Sequence, residues 1–223
     1  MKIKNFELKF DEWLSSIIGH QVWKLNYCKS KNFFFKPKNS KKILIYSKIP
    51  TNDHKLFNLL LGKGFELVDT LVNLTVQPNK IDSLKTNNCI RFARPDDKDQ
   101  VYQLAYDSFK FSRFHNDPKI SDKISNKIKG CWASNFFEGN RGDEMIIAEN
   151  HKNIVGFLLL IYKKNTIIID LIAVSNKFFR EGIAQNMISF LLNNKNKSIL
   201  HECQIKVGTQ LINIPSLNFY EKL

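Results

Sequence analysis

The chain lacks the long apolar run that a bilayer-crossing helix needs: no window approaches roughly 18 uninterrupted apolar residues. Its start, MKIKNFELKFDEW, is charged throughout and has no apolar centre, so a secretory leader is not expected. Cysteine is sparse. Cys28, Cys89, Cys131 and Cys203 stand far apart, with no CxxC pair and no Cys/His cluster. That excludes a patterned zinc site and a disulfide framework, and leaves reduced thiols in a cytoplasmic protein with no metal. Arginine is scarce as well. Lys+Arg number 34 against 21 Asp+Glu, a net charge of +13, yet only five of the positive residues are Arg. Arginine is the side chain that clamps phosphates bidentately and reads base edges, so its scarcity argues against nucleic-acid binding. The lysine excess, with abundant asparagine, reads as a solvated surface that attracts small polyanions. Apolar residues are not scarce: 43% of the chain is hydrophobic and 18 residues are Phe. Such a chain offsets its ordering entropy, which excludes global disorder, and 223 residues form one large domain or two small ones.

Residues 1–88 read as a small α+β unit. QVWKLNY (21–27) alternates as a strand, and KILIYS (42–47) is a buried strand. Thr51 is placed to cap a helix carrying Leu56, Leu59 and Leu60, ended by Gly62-Lys63-Gly64. FELVDTLVNLTV (65–76) reads as a long strand, and the polar stretch from Pro78 to Asn88 as a linker. From Ile90 the expected order is β-α-α-β-β-β-α-β-α, one mostly antiparallel sheet of an α+β fold. Its strands are 90–94, 145–149, 154–162, 166–174 and 201–209; its helices follow Pro95-Asp96-Asp97, span about 121–132 and 181–192, and begin at Asn213. Lysine runs at Lys36–Lys38 and Lys41-Lys42 read as surface, and NNKNK (193–197) as a helix-ending loop.

The chemistry concentrates in 167–192. The strand TIIIDLIAV feeds SNKFFREGIA and then an amphipathic helix. A glycine and a small residue at the head of a helix leave backbone N–H groups pointing outward, and the helix dipole adds about half a positive charge. Gly182 and Ala184 let a pyrophosphate approach the backbone, and Arg180 adds a cation. An ordinary strand–turn–helix remains the alternative from these residues alone.

This region resembles motif A of the GNAT acetyltransferases, in which Q/R-x-x-G-x-G/A follows a central strand. Gly182 and Ala184 fit its last two positions, while Phe179 stands where the family has Gln or Arg, with Arg180 next to it. The element order and Asn213 before Phe219-Tyr220 match the same fold. The pieces FDEW…GHQVWKL (10–25), GFELVDT (64–70), SRFHNDP (112–118) and IKVGTQLINIPSLNFYEKL (205–223) look like the dTDP-fucosamine acetyltransferase group, two-domain enzymes that acetylate the 4-amino group of a dTDP-4-amino-4,6-dideoxyhexose.

The resemblance implies acetyl-CoA as co-substrate, without a metal. It is implied to be held by Ile172, Ala173 and Val174, by Arg180, Glu181, Gly182, Ile183 and Ala184, and by Asn213. Tyr220 is implied as the acid that protonates the departing thiolate; without the resemblance, a packing tyrosine reads as well. Arg113, Phe114, Asp117, Thr209 and Gln210 are the implied contacts to a nucleotide-linked amino sugar. Asp170 stays open between a general-base carboxylate and an outward-facing residue. His115 stays open between a solvated loop side chain and one that takes the ammonium proton through water. Phe109, Phe111 and Phe114 stay open between stacking on thymine and packing in the core.

GNAT domains normally continue past this last helix with one or two further strands. Residues 89–223 are therefore expected to form a GNAT domain without its final strands, leaving a sheet edge bare or completed by a second copy in a homodimer. The alternatives to an amino-sugar acetyltransferase are a GNAT acting on another primary amine and an inactive relative or basic binding protein.

Overall fold

The computed structural model describes residues 5–28, 42–81, 89–195, 200 and 202–223. Lys36–Lys38, Lys41, the linker residues 82–88, Asn196-Lys197 and His201 lie outside them. The chain divides into Met1–Leu67 and Val68–Leu223.

In the first unit, β1 (Asn5–Phe10), α1 (Glu12–Ile18), β2 (Gln21–Cys28), β3 (Ile43–Ser47) and α2 (His54–Leu61) form a three-stranded sheet with two helices. The order is β1-β2-β3, with β1/β2 antiparallel and β2/β3 parallel. Asp11 caps α1 by accepting from the Leu14 N–H at 2.9 Å. Leu56 and Leu60 of α2 pack with Leu25, Leu8 and Ile45 of the sheet. Asp53, not Thr51, caps α2, accepting from the Leu56 N–H at 3.0 Å. Neither β1 nor α1 was expected from the sequence.

The second unit holds β4 (Leu71–Val76), β5 (Cys89–Phe92), α3 (Lys98–Ser108), α4 (Asp122–Ser134), β6 (Glu144–Asn150), β7 (Asn153–Lys163), β8 (Thr166–Val174), α5 (Ile183–Asn194), β9 (Gln204–Gln210) and α6 (Ile214–Glu221). Six strands form one sheet in the order β4-β9-β8-β7-β6-β5, antiparallel except for β8/β9. Its centre, β7, is buried from Ile154 to Leu160, which is why NIVGFLLL is apolar without alternation. Ile183, Met187, Ile188 and Leu191 of α5 cover one face against Leu158, Leu160, Ile167 and Ile169. Val101, Leu104 and Ala105 of α3, with Ala133 of α4, cover the other against Phe157, Leu159, Leu171 and Ala173.

Two features depart from expectation. The boundary falls at Leu67–Val68 rather than near residue 88, because β4 joins the larger sheet. Its residues Leu71–Val76 pair antiparallel with Gln210–Ile205 of β9. The flank of β9 that was expected to be bare is therefore filled by a strand from upstream in the chain, which removes the reason to invoke a second copy at that edge. The expected long strand 65–76 is shortened to these six residues.

The other departure is in β8. Leu171 pairs with Leu159 and Ile169 with Leu160, so Asp170 is an extra residue in the ladder. This bulge switches the inward faces: Ile167 and Ile169 pack on the α5 side, Leu171 and Ala173 on the α3/α4 side.

Candidate active site

Strands β8 and β9 are joined only at one end. Thr166–Ile169 pair with Gln204–Val207, and beyond the bulge the two strands part. From Leu171 onward β8 keeps its ladder to β7 but has no pairing with β9, so its backbone groups on the β9 side carry no strand partner. A cavity of about 660 Å3 occupies this gap. Its walls include Ile172, Ala173 and Val174 of β8, Gly208, Thr209 and Gln210 of β9, the head of α5, and Asn213 and Tyr220. A second hollow of about 470 Å3 adjoins it through Arg180 and Lys222.

At the head of α5 the backbone turns through two left-handed residues, Arg180 (φ 67°) and Gly182 (φ 74°). Gly182 is the N-cap and supplies no side-chain cap. The first bond of α5 runs from the Asn186 N–H to the Gly182 carbonyl at 2.9 Å. The N–H groups of Ile183, Ala184 and Gln185 therefore have no partner within the helix and border the cavity. A Cβ on Gly182 would meet nothing within 4 Å, so the approach is open. These features fit a pyrophosphate: free N–H donors, a dipole end and the nearby cations Arg180 and Lys222.

Asn213 caps α6, accepting from the Ser216 N–H at 3.3 Å and donating Nδ2–H to the Thr209 hydroxyl at 3.3 Å. This bond ties the end of β9 to the start of α6, the helix that carries Tyr220. No hydrogen bond within the described residues holds the Tyr220 hydroxyl, which belongs to the cavity wall. Burial pushes its phenol well above the ordinary value, so it stays protonated.

Asp170 is tied down. Its carboxylate accepts from Arg141 Nε and Nη2, both at 2.6 Å, and from Trp132 Nε1 at 3.1 Å. The Arg141 guanidinium also lies 4.4 Å above the Trp132 ring. Three donors on one carboxylate that is 10% exposed make a clamp between the bulge and α4. Arg141→Ala leaves that charge uncompensated. We expect a loss of ~1–3 kcal/mol in denaturant unfolding, below the full cost of breaking a buried pair because the guanidinium is partly solvated.

The structure brings Tyr220, Ile172, Ala173, Val174, Arg180, Gly182, Ile183, Ala184, Asn213, Thr209 and Gln210 to one cavity, and leaves four expected residues off its wall. Glu181 points to solvent between the two left-handed residues. Phe114 is buried, edge-on to Trp132, and its carbonyl accepts from Ser125 Oγ at 2.7 Å. Arg113 stacks on the Phe114 ring at 4.5 Å. Asp117 accepts from the Lys119 N–H in its own turn. SRFHNDP is thus in large part a loop that docks on α4. In exchange, Ser108, Phe109, Lys110, Phe111, Ser112 and Lys129 line the cavity from the α3/α4 side. Lys129 is the side chain that sequence reasoning missed. It is 8% exposed, with its ammonium 4.7 Å from the Phe109 ring centre and 4.9 Å from that of Trp132. In the sequence, Ile124, Ile128 and Trp132 mark an apolar stripe at i, i+4 and i+8 along this helix, and no signal sets the neighbouring Lys129 apart.

The family model for the "Acetyltransferase (GNAT) family" matches residues 99–223, more than half of the chain. The chain belongs to the GNAT acetyltransferase family. The matched stretch holds β6–β9, α3–α6 and the splayed gap, and β4 and β5 are strands of the same sheet from outside it. As a GNAT chain it shares 28% identity over 180 residues with the spore coat polysaccharide biosynthesis protein SpsD of Bacillus subtilis (strain 168), covering 80% of this chain and 61% of SpsD. It therefore spans about three fifths of that relative's length. A functionally unknown conserved protein from Staphylococcus epidermidis ATCC 12228 has the same fold, at a TM-score of 0.56 and 18% identity over 79% of this chain and 66% of that one. GNAT proteins use acetyl-CoA as acyl donor. Among the described residues, no group of three or more His, Cys, Asp or Glu could hold a metal ion, and no helix is long and apolar enough to cross a membrane.

Proposed function

We propose that the chain is an acetyl-CoA-dependent N-acetyltransferase whose acceptor is the amino group of a nucleotide-linked amino sugar used in polysaccharide synthesis in the cytoplasm. The observation that carries this reading is the single cavity running from the uncapped head of α5, through the β8/β9 gap, to Tyr220. Donor and acceptor enter from opposite faces of the sheet. The pyrophosphate of acetyl-CoA lies against Gly182–Gln185 with Arg180 and Lys222 near it, and the pantetheine pairs as a false strand with the β9-side backbone of Ile172–Val174, which has no strand partner there. A neutral amine from the α3/α4 side attacks the thioester carbonyl, and a β8 N–H stabilises the oxyanion. The Tyr220 hydroxyl faces the leaving sulfur. Its raised pKa makes a completed proton transfer to a thiolate of ordinary pKa near ~8.5 uphill, so its main contribution is an O–H hydrogen bond that strengthens as charge builds on sulfur.

The likeness to SpsD, named for polysaccharide biosynthesis, supports a sugar acceptor. The group that acetylates dTDP-4-amino-4,6-dideoxyhexoses is the finer form of this reading. Lys110 and Lys129 on the cavity wall support a contact to its diphosphate, and Phe109 and Phe111 support one to its base or sugar methyl. The test is CoA release from acetyl-CoA with a panel of dTDP- and UDP-linked amino sugars, free amino sugars, polyamines and peptides. A nucleotide-linked amino sugar is expected to exceed its free sugar by about 100-fold in kcat/KM, roughly 2.7 kcal/mol of phosphate contact. A polyamine or peptide as best acceptor would contradict the sugar reading.

A further inference from the structure

His115 sits behind the cavity wall with both ring nitrogens engaged. Nδ1 lies 2.7 Å from Ser112 Oγ, and Nε2 lies 2.8 Å from Asn126 Oδ1 on α4. The amide oxygen of Asn126 can only accept, so Nε2 carries the hydrogen and Nδ1 presents its lone pair. The Ser112 hydroxyl is then the donor to Nδ1. Ser112 is 3% exposed and borders the cavity. Its oxygen keeps lone pairs available for an N–H on the cavity side. The polarity of the chain runs one way, from the cavity to Ser112 Oγ to His115 Nδ1, with Asn126 fixing the tautomer from behind.

We infer that Ser112 and His115 form the relay that takes the proton from the acceptor nitrogen during acetyl transfer. This inference rests on the acetyltransferase reading and supplies the base that the reading lacks, since Asp170 is committed to Arg141 and Trp132. The balance is direct. The amine nitrogen forms the C–N bond, the C–S bond breaks, and the nitrogen must shed one proton to become an amide. That proton goes to Ser112 Oγ as the Ser112 proton moves to His115 Nδ1. The thiolate leaves hydrogen-bonded to Tyr220 and takes up a proton, and the imidazolium returns its own to solvent. A nitrogen already bonded to the acyl carbon is a far stronger acid than the free ammonium, so a weak neutral base suffices.

Burial lowers the His115 pKa. The Asn126 hydrogen bond and Asp122 on α4 oppose that shift, and Lys129 on α4 and Lys110 on its own loop reinforce it, with a net result below the ordinary value. The ring is neutral, the form that accepts a proton, above that pKa. Transfer through the relay is therefore lost as pH falls through it.

The test uses the full chain with its best acceptor. His115→Gln keeps hydrogen-bonding capacity but cannot take a proton, and Ser112→Ala removes the link to the cavity. Each is expected to lower kcat about 100-fold, and the double variant no further, because the two act as one unit. The pH profile separates a base from a strut. In the wild type, log kcat/KM rises with slope one where the ammonium titrates and steepens to slope two below about pH 6.5, where His115 titrates as well. In His115→Gln the steepening disappears. Should His115→Gln fail to fold, Ser112→Ala and 15N NMR of the wild-type imidazole decide: an Nε2–H tautomer with a midpoint below about 6.5 is expected. An Nδ1–H tautomer, variants within threefold of wild type, or an acetyl adduct on Ser112 would each overturn the relay. Transfer that survives both substitutions sinks the relay alone, whereas no transfer by the wild type to any amine sinks the acetyltransferase reading and the relay with it.

Discussion

Gly182→Glu weakens acetyl-CoA binding by at least about 100-fold in isothermal titration, because two penalties fall on one position. Gly182 holds φ 74°, a region that costs an L-residue roughly 1–2 kcal/mol. The new carboxylate also stands at the mouth of the N–H cluster formed by Ile183, Ala184 and Gln185, where the pyrophosphate needs positive potential. Gly182→Ala separates the two effects. No atom lies within 4 Å of the added Cβ, so Ala brings backbone strain without a clash and without charge. We expect Gly182→Ala to lose stability and only a few-fold in affinity. Equal losses for Ala and Glu would mean that backbone geometry, not anion binding, governs the site.

Tyr220→Phe is the second large effect, and it falls on a different quantity. The ring fills the same volume against Phe219, whose centre lies 5.1 Å away, so packing and CoA affinity are retained. What disappears is one O–H without a partner among the described residues. We expect kcat to fall about 100- to 1,000-fold with the dissociation constant of CoA unchanged within about twofold, the range for losing a general acid or a transition-state hydrogen bond. Since burial already holds the phenol protonated, the wild-type rate shows no alkaline limb from Tyr220 at or below its ordinary pKa of about 10. A kcat unchanged by the substitution would return Tyr220 to a packing role.

The parts of this site that were legible in the sequence are those set by local chemistry. A glycine that must hold a left-handed turn before an apolar helix, and an asparagine that caps one, leave their mark within a few residues. The parts that were not legible depend on partners distant in the chain. Leu71–Val76 alternates as any half-buried strand does, and nothing local says that its partner is β9 rather than the sheet of residues 5–47. The bulge at Asp170 is equally silent: TIIIDLIAV reads as one strand with a charged residue in it, and only its pairing with β7 reveals the change of face. Asp170, the extra residue, is claimed by Arg141 and Trp132, which fixes its role. In SRFHNDP the residue types pointed to ligand contacts, but a buried Phe114, an Arg113 stacked on it and an Asp117 turned onto its own loop spend them on docking to α4. Ser112 of that same segment does line the cavity, and His115 backs it through a hydrogen bond whose direction depends on Asn126, eleven residues further on.

We propose that the gap between β8 and β9, headed by α5, is an acetyl-CoA site. Thermal unfolding of the chain with acetyl-CoA tests it most directly, with heparin as the polyanion control and Gly182→Glu as the site control. At about 100 times its dissociation constant a ligand adds about 2.7 kcal/mol to the folded state. We expect a clear rise in melting temperature with acetyl-CoA, none of comparable size with heparin, and none in Gly182→Glu. A folded protein whose melting temperature ignores acetyl-CoA, or rises equally with heparin, would contradict it.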